Sequence, residues 1–487
     1  STPNAARHLL WLSIFTIWAW IGIAAFLNES QLNDSLEQFI WAQSLEWGYW
    51  KHPPVTSWLL YLPLHGLGPS PGWTYVLSAL LYATTVLATH KIAELLFDAD
   101  TATWAVVLLT LHYGFTRRAQ LYNHNSVLIA FVAVTVLLTV YALRDQKTWQ
   151  WMWVGLMAGL STLVKYQALV AFLGVLVAIA SAGKLKASAR GLGWAGVVSV
   201  LTLTPHGLWL LEHDFKPVRY AMSFLADPDW METTQRQASF WVAQLRFHLP
   251  MLFFMALIGA WKFIRHEEGS EPQLIRWRPE QKAWVWGLCA FPLVTIVFVA
   301  WAMGARIQSQ WGLQLTQFLC LPLAHVWVQK FGPLNLRHLW AWGVVQVMAL
   351  LIFVGQATGM ILYANDRLAV RELPARHFAT QALDFWRAQS PCPLIYLSGE
   401  SAMSAMISAY SGQHLNVLED QNPEKSPWID VLDLQRRGYL EVFTQSQAST
   451  ELRSLSLPYR LRSRKPHSSE NTRYLVLRYH APHMSCP

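Results

Sequence analysis

The sequence predicts a polytopic α-helical membrane protein with a small soluble α/β domain at its C-terminal end. Three observations carry this. Of 487 residues, 53% are hydrophobic, only 14% are charged and 27 are tryptophan, the residue that gathers at membrane interfaces. The apolar residues come in runs of about 20, the length that crosses a bilayer as a helix, separated by short basic or aromatic stretches. From Asp366 onward charges become frequent and no span-length apolar run recurs. Disordered, collagen-like and disulfide-stapled classes are excluded by the same composition. The formal net charge of +8 does not imply nucleic acid, because Lys and Arg fall mostly at the ends of apolar runs, where a bilayer attracts them. The expected partner is the lipid bilayer, with no nucleic acid.

Taken in order, Leu9 to Leu27 reads as the first span. It is long enough to cross, and no small-residue cleavage site follows it. A polar loop, 28–70, follows. Within it, Pro53 to Gly68 opens on Pro-Pro and is interrupted by Pro63, Gly66 and Gly68, which predicts an interfacial or half-inserted segment rather than a crossing. Further spans begin near residues 71, 102, 124, 149, 166, 191, 247, 283, 312 and 338, which makes about 11 transmembrane helices. With the N-terminus cytoplasmic, Lys and Arg are about twice as dense in the cytoplasmic loops as in the opposite ones, as the positive-inside rule requires. That topology puts the 28–70 loop, the loop from Glu212 to Arg246 and the whole tail on the non-cytoplasmic face. The domain reading is a transmembrane domain over 1–365 and a soluble α/β domain over 366–487. The latter has strand-like stretches at Leu394 to Leu397 and Tyr474 to Tyr479 and a helical pattern from Ala375 to Ala388. Of the four cysteines, Cys289 and Cys320 lie in apolar runs and read as small hydrophobes; with Cys392 and Cys486 they form no CxxC and no metal-ligand spacing.

The most informative stretch is the first polar loop. Asp34 is placed to cap a short helix, with Glu37 one turn along, so both carboxylates fall on nearby faces at the membrane surface. Leu36, Phe39, Ile40 and Trp47 would lay that helix against lipid. On spacing alone, an N-cap followed by a solvated acidic face is the better reading. Trp47-Gly48-Tyr49-Trp50-Lys51-His52-Pro53-Pro54 then sets a cation and an imidazole beside a rigid turn.

This loop, directly after the first span, resembles the membrane glycosyltransferases of family 39. These include protein O-mannosyltransferases and lipid A aminoarabinose transferases, and their bacterial members carry an early acidic motif and then a Gly-Tyr-rich stretch ending in His-Pro-Pro or Lys-Pro-Pro. Asp34 takes the place of the leading aspartate, Glu37 matches a later acidic position, and Ser35 stands where the family usually has a second consecutive acid. Gly155 to Tyr166 is similar to the family's Gly-Leu-x-x-Leu-x-Lys-Tyr segment, and Arg306 to Trp311 to its Asn-Trp stretch, with Gln310 for Asn. At Tyr122-Asn123-His124-Asn125 the family commonly has Pro-Asp. The resemblance covers roughly residues 9 to 330.

It implies a GT-C fold of bacterial origin, whose first outer loop lies over a cavity open to lipid, and a sugar donor carried on a polyprenyl phosphate. Such transfer needs a base for an acceptor hydroxyl and cations for the leaving phosphate. Asp34 is the expected base. Glu37 is the second choice for that role, or orients the acceptor or a cation. Lys165, beside Tyr166 at the end of an apolar run, is the first choice for the phosphate, against a snorkelling lysine. Lys51, His52 and Arg306 follow, and Asn123 and His124 are candidate donors to sugar or phosphate oxygens. Arg117 and Arg118 read mainly as headgroup anchors, and Asn125 as a helix cap. Glu212, His213 and Asp214 are a weak metal candidate, so no metal and no cofactor are expected. Trp209, Trp230, Trp241 and Trp311 are candidates for stacking on sugar rings, although most tryptophans should belong to the interfacial belt. The expected setting is the periplasmic face of a bacterial inner membrane, with a lipid, a lipid-linked glycan or a protein as acceptor. The competing classes are a transporter or flippase of lipid-linked sugars and a non-catalytic scaffold. The former calls for central intramembrane charges and paired broken helices, which the spans lack.

Overall fold

The computed structural model describes residues 3–225, 229–264, 275–358, 360, 370–460 and 472–483. The boundary expected at 365/366 and Cys486 lie outside them.

Helix α1 (Pro3–Leu27) is followed by two short helices of the polar loop, α2 (Asn33–Trp41) and α3 (Val55–Gly66). Then come α4 (Gly72–Leu96), α5 (Ala99–Thr110), α6 (His124–Asp145), α7 (Thr148–Val164), α8 (Ala168–Ser181) and α9 (Leu185–Glu212). After a two-turn helix, α10 (Lys216–Met222), the chain continues through α11 (Trp230–Ile264). Helix α12 (Pro279–Val285) runs through a π turn at Trp286–Ala290 into α13 (Phe291–Met303). Two pieces, α14 (Gly312–Thr316) and α15 (Cys320–Phe331), lead to α16 (Leu336–Ala357). Each of the eleven expected starts meets helix.

Among the described residues, seven helical segments are long and apolar enough to cross a membrane alone: α1, α4, α6, α9, α11, α12–α13 and α16. The segments near 102, 149, 166 and 312 are shorter or broken, so eleven full crossings are not what the helix lengths give. The reason near 166 is local. The chain extends at Lys165 (φ −162°) before α8 begins, so two apolar runs meet in a polar break. Close helix crossings are made by glycine: a Cβ at Gly155 on α7 would stand 2.2 Å from the Ala195 carbonyl of α9, and Gly159 one turn on abuts Thr202. This is the small-xxx-small device of membrane packing. Gly174 and Gly287 do the same between α8 and the π turn.

The remainder folds around a five-stranded sheet in the order β2-β1-β3-β5-β4. Its strands are β1 (Tyr396–Gly399), β2 (Asn416–Glu419), β3 (Tyr439–Gln445), β4 (Ser454–Arg460) and β5 (Thr472–His480). The β1–β2 and β1–β3 pairs are parallel, the others antiparallel. Helices α17 (Ala375–Gln389), α18 (Ser401–Tyr410) and α19 (Val431–Arg437) accompany it. The helix and the two strands read from the sequence are found; β2, β3 and β4 were too short or too mixed in pattern to read.

This sheet unit packs on the first polar loop. Helix α18 lies against α2, and the Gln43 carboxamide pairs with the strand backbone, donating to the Leu415 carbonyl (3.0 Å) and accepting from the Val417 amide (2.9 Å). Leu36, Phe39 and Ile40 are therefore buried in protein, not laid on lipid; Trp47 alone of that set is exposed.

Candidate active site

The polar loop, the start of α6, the α7–α8 break, α10 and the 305–311 stretch converge at one end of the bundle around a cavity of about 590 Å³. Asp34, Glu37, Lys51, His52, Asn123, His124, Lys165 and Tyr166 all line it. Arg306 does not: its neighbours Ala305 and Gln308 do, while its own side chain is exposed beside them. Its backbone amide donates to the Phe224 carbonyl at 2.7 Å, which fixes the turn and directs the side chain away.

Asp34 lies inside the first turn of α2, not at its cap, a position held by Leu32 with no side-chain bond. Its Oδ2 accepts from Asn123 Nδ2 at 2.8 Å, and it makes no ion pair among the described residues. The other oxygen is thus open to the cavity. Asn123 also caps α6, its Oδ1 accepting from the Asn125 and Ser126 amides, so the capping assigned to Asn125 belongs to Asn123. Asn125 is freed to accept from Lys165 Nζ at 2.8 Å.

Glu37 is paired with Lys51. Burial pushes its carboxyl up to about 7 in spite of that cation. Burial also works against the charge on Lys51, but the Glu37 carboxylate outweighs it and holds the ammonium above its ordinary value. Among the described residues Lys165 has no carboxylate in contact. It sits 5.0 Å from the centroid of the Trp311 ring, and in the break between α7 and α8 burial pulls it down to about 7, with the Asp34 charge opposing. Burial, helped by His124, Lys165 and Lys51, keeps His52 well below its usual value and therefore neutral. The His52 and His124 rings lie 3.9 Å apart, and His124 Nε2 is buried with no hydrogen-bond partner among the described residues.

Tyr166 is held by a chain. The His206 Nδ1 lies 2.6 Å from the Trp47 carbonyl, which can only accept, so Nδ1 carries the proton and Nε2 receives the Tyr166 hydroxyl at 2.8 Å. The Tyr166 proton is already spent on that bond, which makes this residue a wall of the cavity more than a donor. A Cβ on Gly48 would fall 2.4 Å from the Trp209 ring, so the same loop seats on α9 only with glycine there.

Residues 51–209 match the model of the dolichyl-phosphate-mannose-protein mannosyltransferase family. The chain is 21% identical over 315 residues to the lipid A galacturonosyltransferase RgtD of Rhizobium johnstonii, covering 64% of this chain and 63% of that protein. Two crystal structures of ArnT from Cupriavidus metallidurans match over 100% of both chains. One, bound to undecaprenyl phosphate, has TM-score 0.63 at 11% identity, and the apo form has 0.60 at 13%. This is a polytopic membrane protein with the ArnT fold.

Where the first polar loop departs from the motif it resembles, the structure supplies a physical substitute. Ser35, in place of the second acid, donates to the Tyr122 carbonyl (3.0 Å) and accepts from the Tyr122 amide (3.1 Å), pinning α2 to the start of α6. Asn123 and His124 occupy the place of Pro-Asp and bring neutral donors and acceptors to the cavity.

Of the residues offered for other roles, Arg118 donates to Gln310 Oε1 at 3.2 Å and Arg117 to Gln356, so both are tied inside the bundle instead of anchoring headgroups. The His213 ring stacks on Trp209 at 4.2 Å, and among the described residues no three His, Cys, Asp or Glu side chains converge as metal ligands. Trp311 lines the cavity, Trp209 is buried under Gly48, and Trp230 and Trp241 are exposed. Sequence reasoning missed Tyr220, Ala221 and Phe224 of α10 and the segment just after it, which also line the cavity. A Lys-Pro start was the signal available for α10.

Proposed function

We propose that this protein is an inverting glycosyltransferase that moves a sugar from a polyprenyl-phosphate donor to an acceptor hydroxyl. The observation that carries the reading is one cavity that holds Asp34, a carboxylate with no ion pair among the described residues, and Lys165, a lysine with no carboxylate in contact among them. Val170, Ile296 and Val299 give the same cavity an apolar wall suited to a prenyl chain.

The acceptor hydroxyl approaches the free oxygen of Asp34 and attacks the anomeric carbon. Its proton passes to Asp34, the bond from that carbon to the phosphate oxygen breaks, and the phosphate leaves with the electron pair. With no covalent sugar intermediate, the anomeric centre inverts. Lys165 meets the charge growing on the phosphate, with His52 and His124 as further donors. Glu37 holds and orients Lys51 at the rim of the same site. The likeness to RgtD and to ArnT with undecaprenyl phosphate supports a lipid-linked donor, and among lipid, lipid-linked glycan and protein acceptors it favours a lipid.

The setting we propose is a bacterial inner membrane, with the N-terminus cytoplasmic and the cavity and a separate sheet domain, 366–487, periplasmic. The charge bias of the loops supports this orientation, and so does Cys392, which is disulfide-bonded as expected of an oxidising compartment. The deciding experiment is Asp34→Asn in purified protein. Transfer from a polyprenyl-phosphate sugar should fall by about 100- to 10,000-fold, the range of a lost general base, with an unchanged melting temperature. A transporter, a flippase or a scaffold would lose nothing by this exchange, and retained activity of the reconstituted variant would end the proposal.

A further inference from the structure

The sheet unit contributes one residue whose placement a merely attached domain does not require. Glu419, the last residue of β2, is 1% exposed, and its carboxylate is turned toward the polar loop. Its Oε2 accepts from two indoles at once, Trp41 Nε1 at the end of α2 and Trp50 Nε1 just before Lys51, both at 3.0 Å. Its Oε1 accepts from Ser401 Oγ at 3.2 Å, and its own amide donates to Ser426 Oγ at 3.0 Å. A buried carboxylate is expensive unless its oxygens are satisfied, and here all three side-chain donors come from protein.

The two indoles bracket the stretch that carries Lys51. Trp41 precedes it and ends the helix that bears Asp34 and Glu37. Trp50 immediately precedes Lys51 and lies under its ammonium, 4.8 Å from the ring centroid. On the same indole, Lys425 of the sheet unit sits 4.2 Å from the centroid, so Trp50 is held by the sheet unit through both its N–H and its face. One carboxylate, from a residue 378 positions away from Trp41, thus fixes the two ends of the loop segment that presents Lys51 to the cavity.

We infer that Glu419 is a positioning residue of the site: it sets the distance between α2 and the Lys51 segment, and its charge forms part of the field around the Glu37–Lys51 pair. The sheet unit is then a structural component of the phosphate end of the cavity. The inference rests on the function proposed above. Its electrostatic part has a sign. The Glu419 charge acts to raise Glu37, so removing that charge moves the titration of Glu37 to lower pH.

The full chain in lipid nanodiscs allows a test with three variants and two readouts, equilibrium binding of undecaprenyl phosphate and the pH profile of sugar transfer. Glu419→Gln keeps a carbonyl oxygen for both indoles and removes the charge. Its binding should stay within about threefold of wild type, while any limb of the pH profile that Glu37→Gln abolishes moves to lower pH. Glu419→Ala loses both acceptors, and binding should weaken about tenfold with a lower kcat. Glu419→Asp, one methylene short, should fall between them. If the alanine variant does not fold, the glutamine and aspartate variants carry the test. Wild-type binding matched by every variant, with an unmoved pH profile in Glu419→Gln, refutes the inference while leaving the proposed function standing. Wild-type protein that binds no undecaprenyl phosphate removes both.

Discussion

The lysine in the α7–α8 break makes a sharp pH prediction. Among the described residues its ammonium has the Asn125 side-chain oxygen, at 2.8 Å, and the Trp311 ring as partners, and burial takes it from 10.5 down to about 7. At 1.36 kcal/mol per unit, holding the charge in the empty site costs roughly 5 kcal/mol, of which an arriving phosphate returns a part. Binding of undecaprenyl phosphate should therefore require a proton on Lys165. Affinity should be highest below about pH 7, where Lys165 carries its proton, and fall by up to tenfold for each unit above it, because each unit removes another tenfold of the cationic form. Isothermal titration or a fluorescent competition assay in nanodiscs between pH 6.5 and 9 reads this directly. Lys165→Met removes a charge-assisted contact of about 1.5–3 kcal/mol, so affinity should drop by roughly 10- to 100-fold at pH 7, with the pH slope gone. Lys165→Arg cannot lose its proton in this range, and should bind with a flat profile. A wild-type affinity that does not change from pH 6.5 to 9, or a methionine variant that keeps the wild-type slope, would show that Lys165 does not meet the phosphate.

Three further outcomes follow from the geometry. Because the Glu37 carboxyl is raised from 4.5 to about 7, its contribution to stability is fully present below about 4.5 and is lost as pH rises through about 7. Glu37→Gln should flatten the dependence of melting temperature on pH in that window, and in a cycle with Lys51→Met the double variant should be more stable than the sum of the single losses allows. Gly155→Val drives a side chain into the Ala195 carbonyl and should destabilise the bundle by about 1–3 kcal/mol or prevent its assembly, read by chemical denaturation or by detergent-resistant yield; an unaffected variant would mean α7 and α9 are not packed as described. Transfer activity should survive excess chelator, since Lys165, Lys51 and the two adjacent imidazoles are proposed to meet the phosphate charge; loss of activity restored by one divalent ion would overturn that assignment.

Much of the helical part was legible because hydrophobic run length is dictated by the bilayer, and each expected start meets a helix. Run length alone, however, does not reveal where a run will break. Lys165 ends one apolar stretch and Tyr166 opens the next, and only the extended backbone between them shows that the run is split into two helices of 17 and 14 residues. Asp34, Glu37, Lys51 and His52 were legible as a group because they are close in sequence on one polar loop. Their convergence with Asn123, His124 and Lys165 is tertiary and was approached only through family resemblance. Two local readings failed. The apolar face of α2 was assigned to lipid because the sequence cannot say that α18, over 350 residues later, will cover it, and Asn125 was assigned a capping role that Asn123 takes because the helix starts two residues earlier than that reading placed it. Glu419 was invisible, since a lone glutamate at the end of a four-residue strand carries no pattern at all.

The bond between Trp41 and Glu419 also bears on how the protein is made. At about 5–20 residues per second, the ribosome needs roughly 20–80 s to deliver the glutamate after the tryptophan has emerged. Throughout that interval the polar loop waits with two indole N–H groups and the apolar face of its first helix uncovered, while later helices are still being inserted. A chaperone-like hold on this loop during biogenesis, or a tendency of truncated products to be degraded, is the natural cost of building an early segment against a late one.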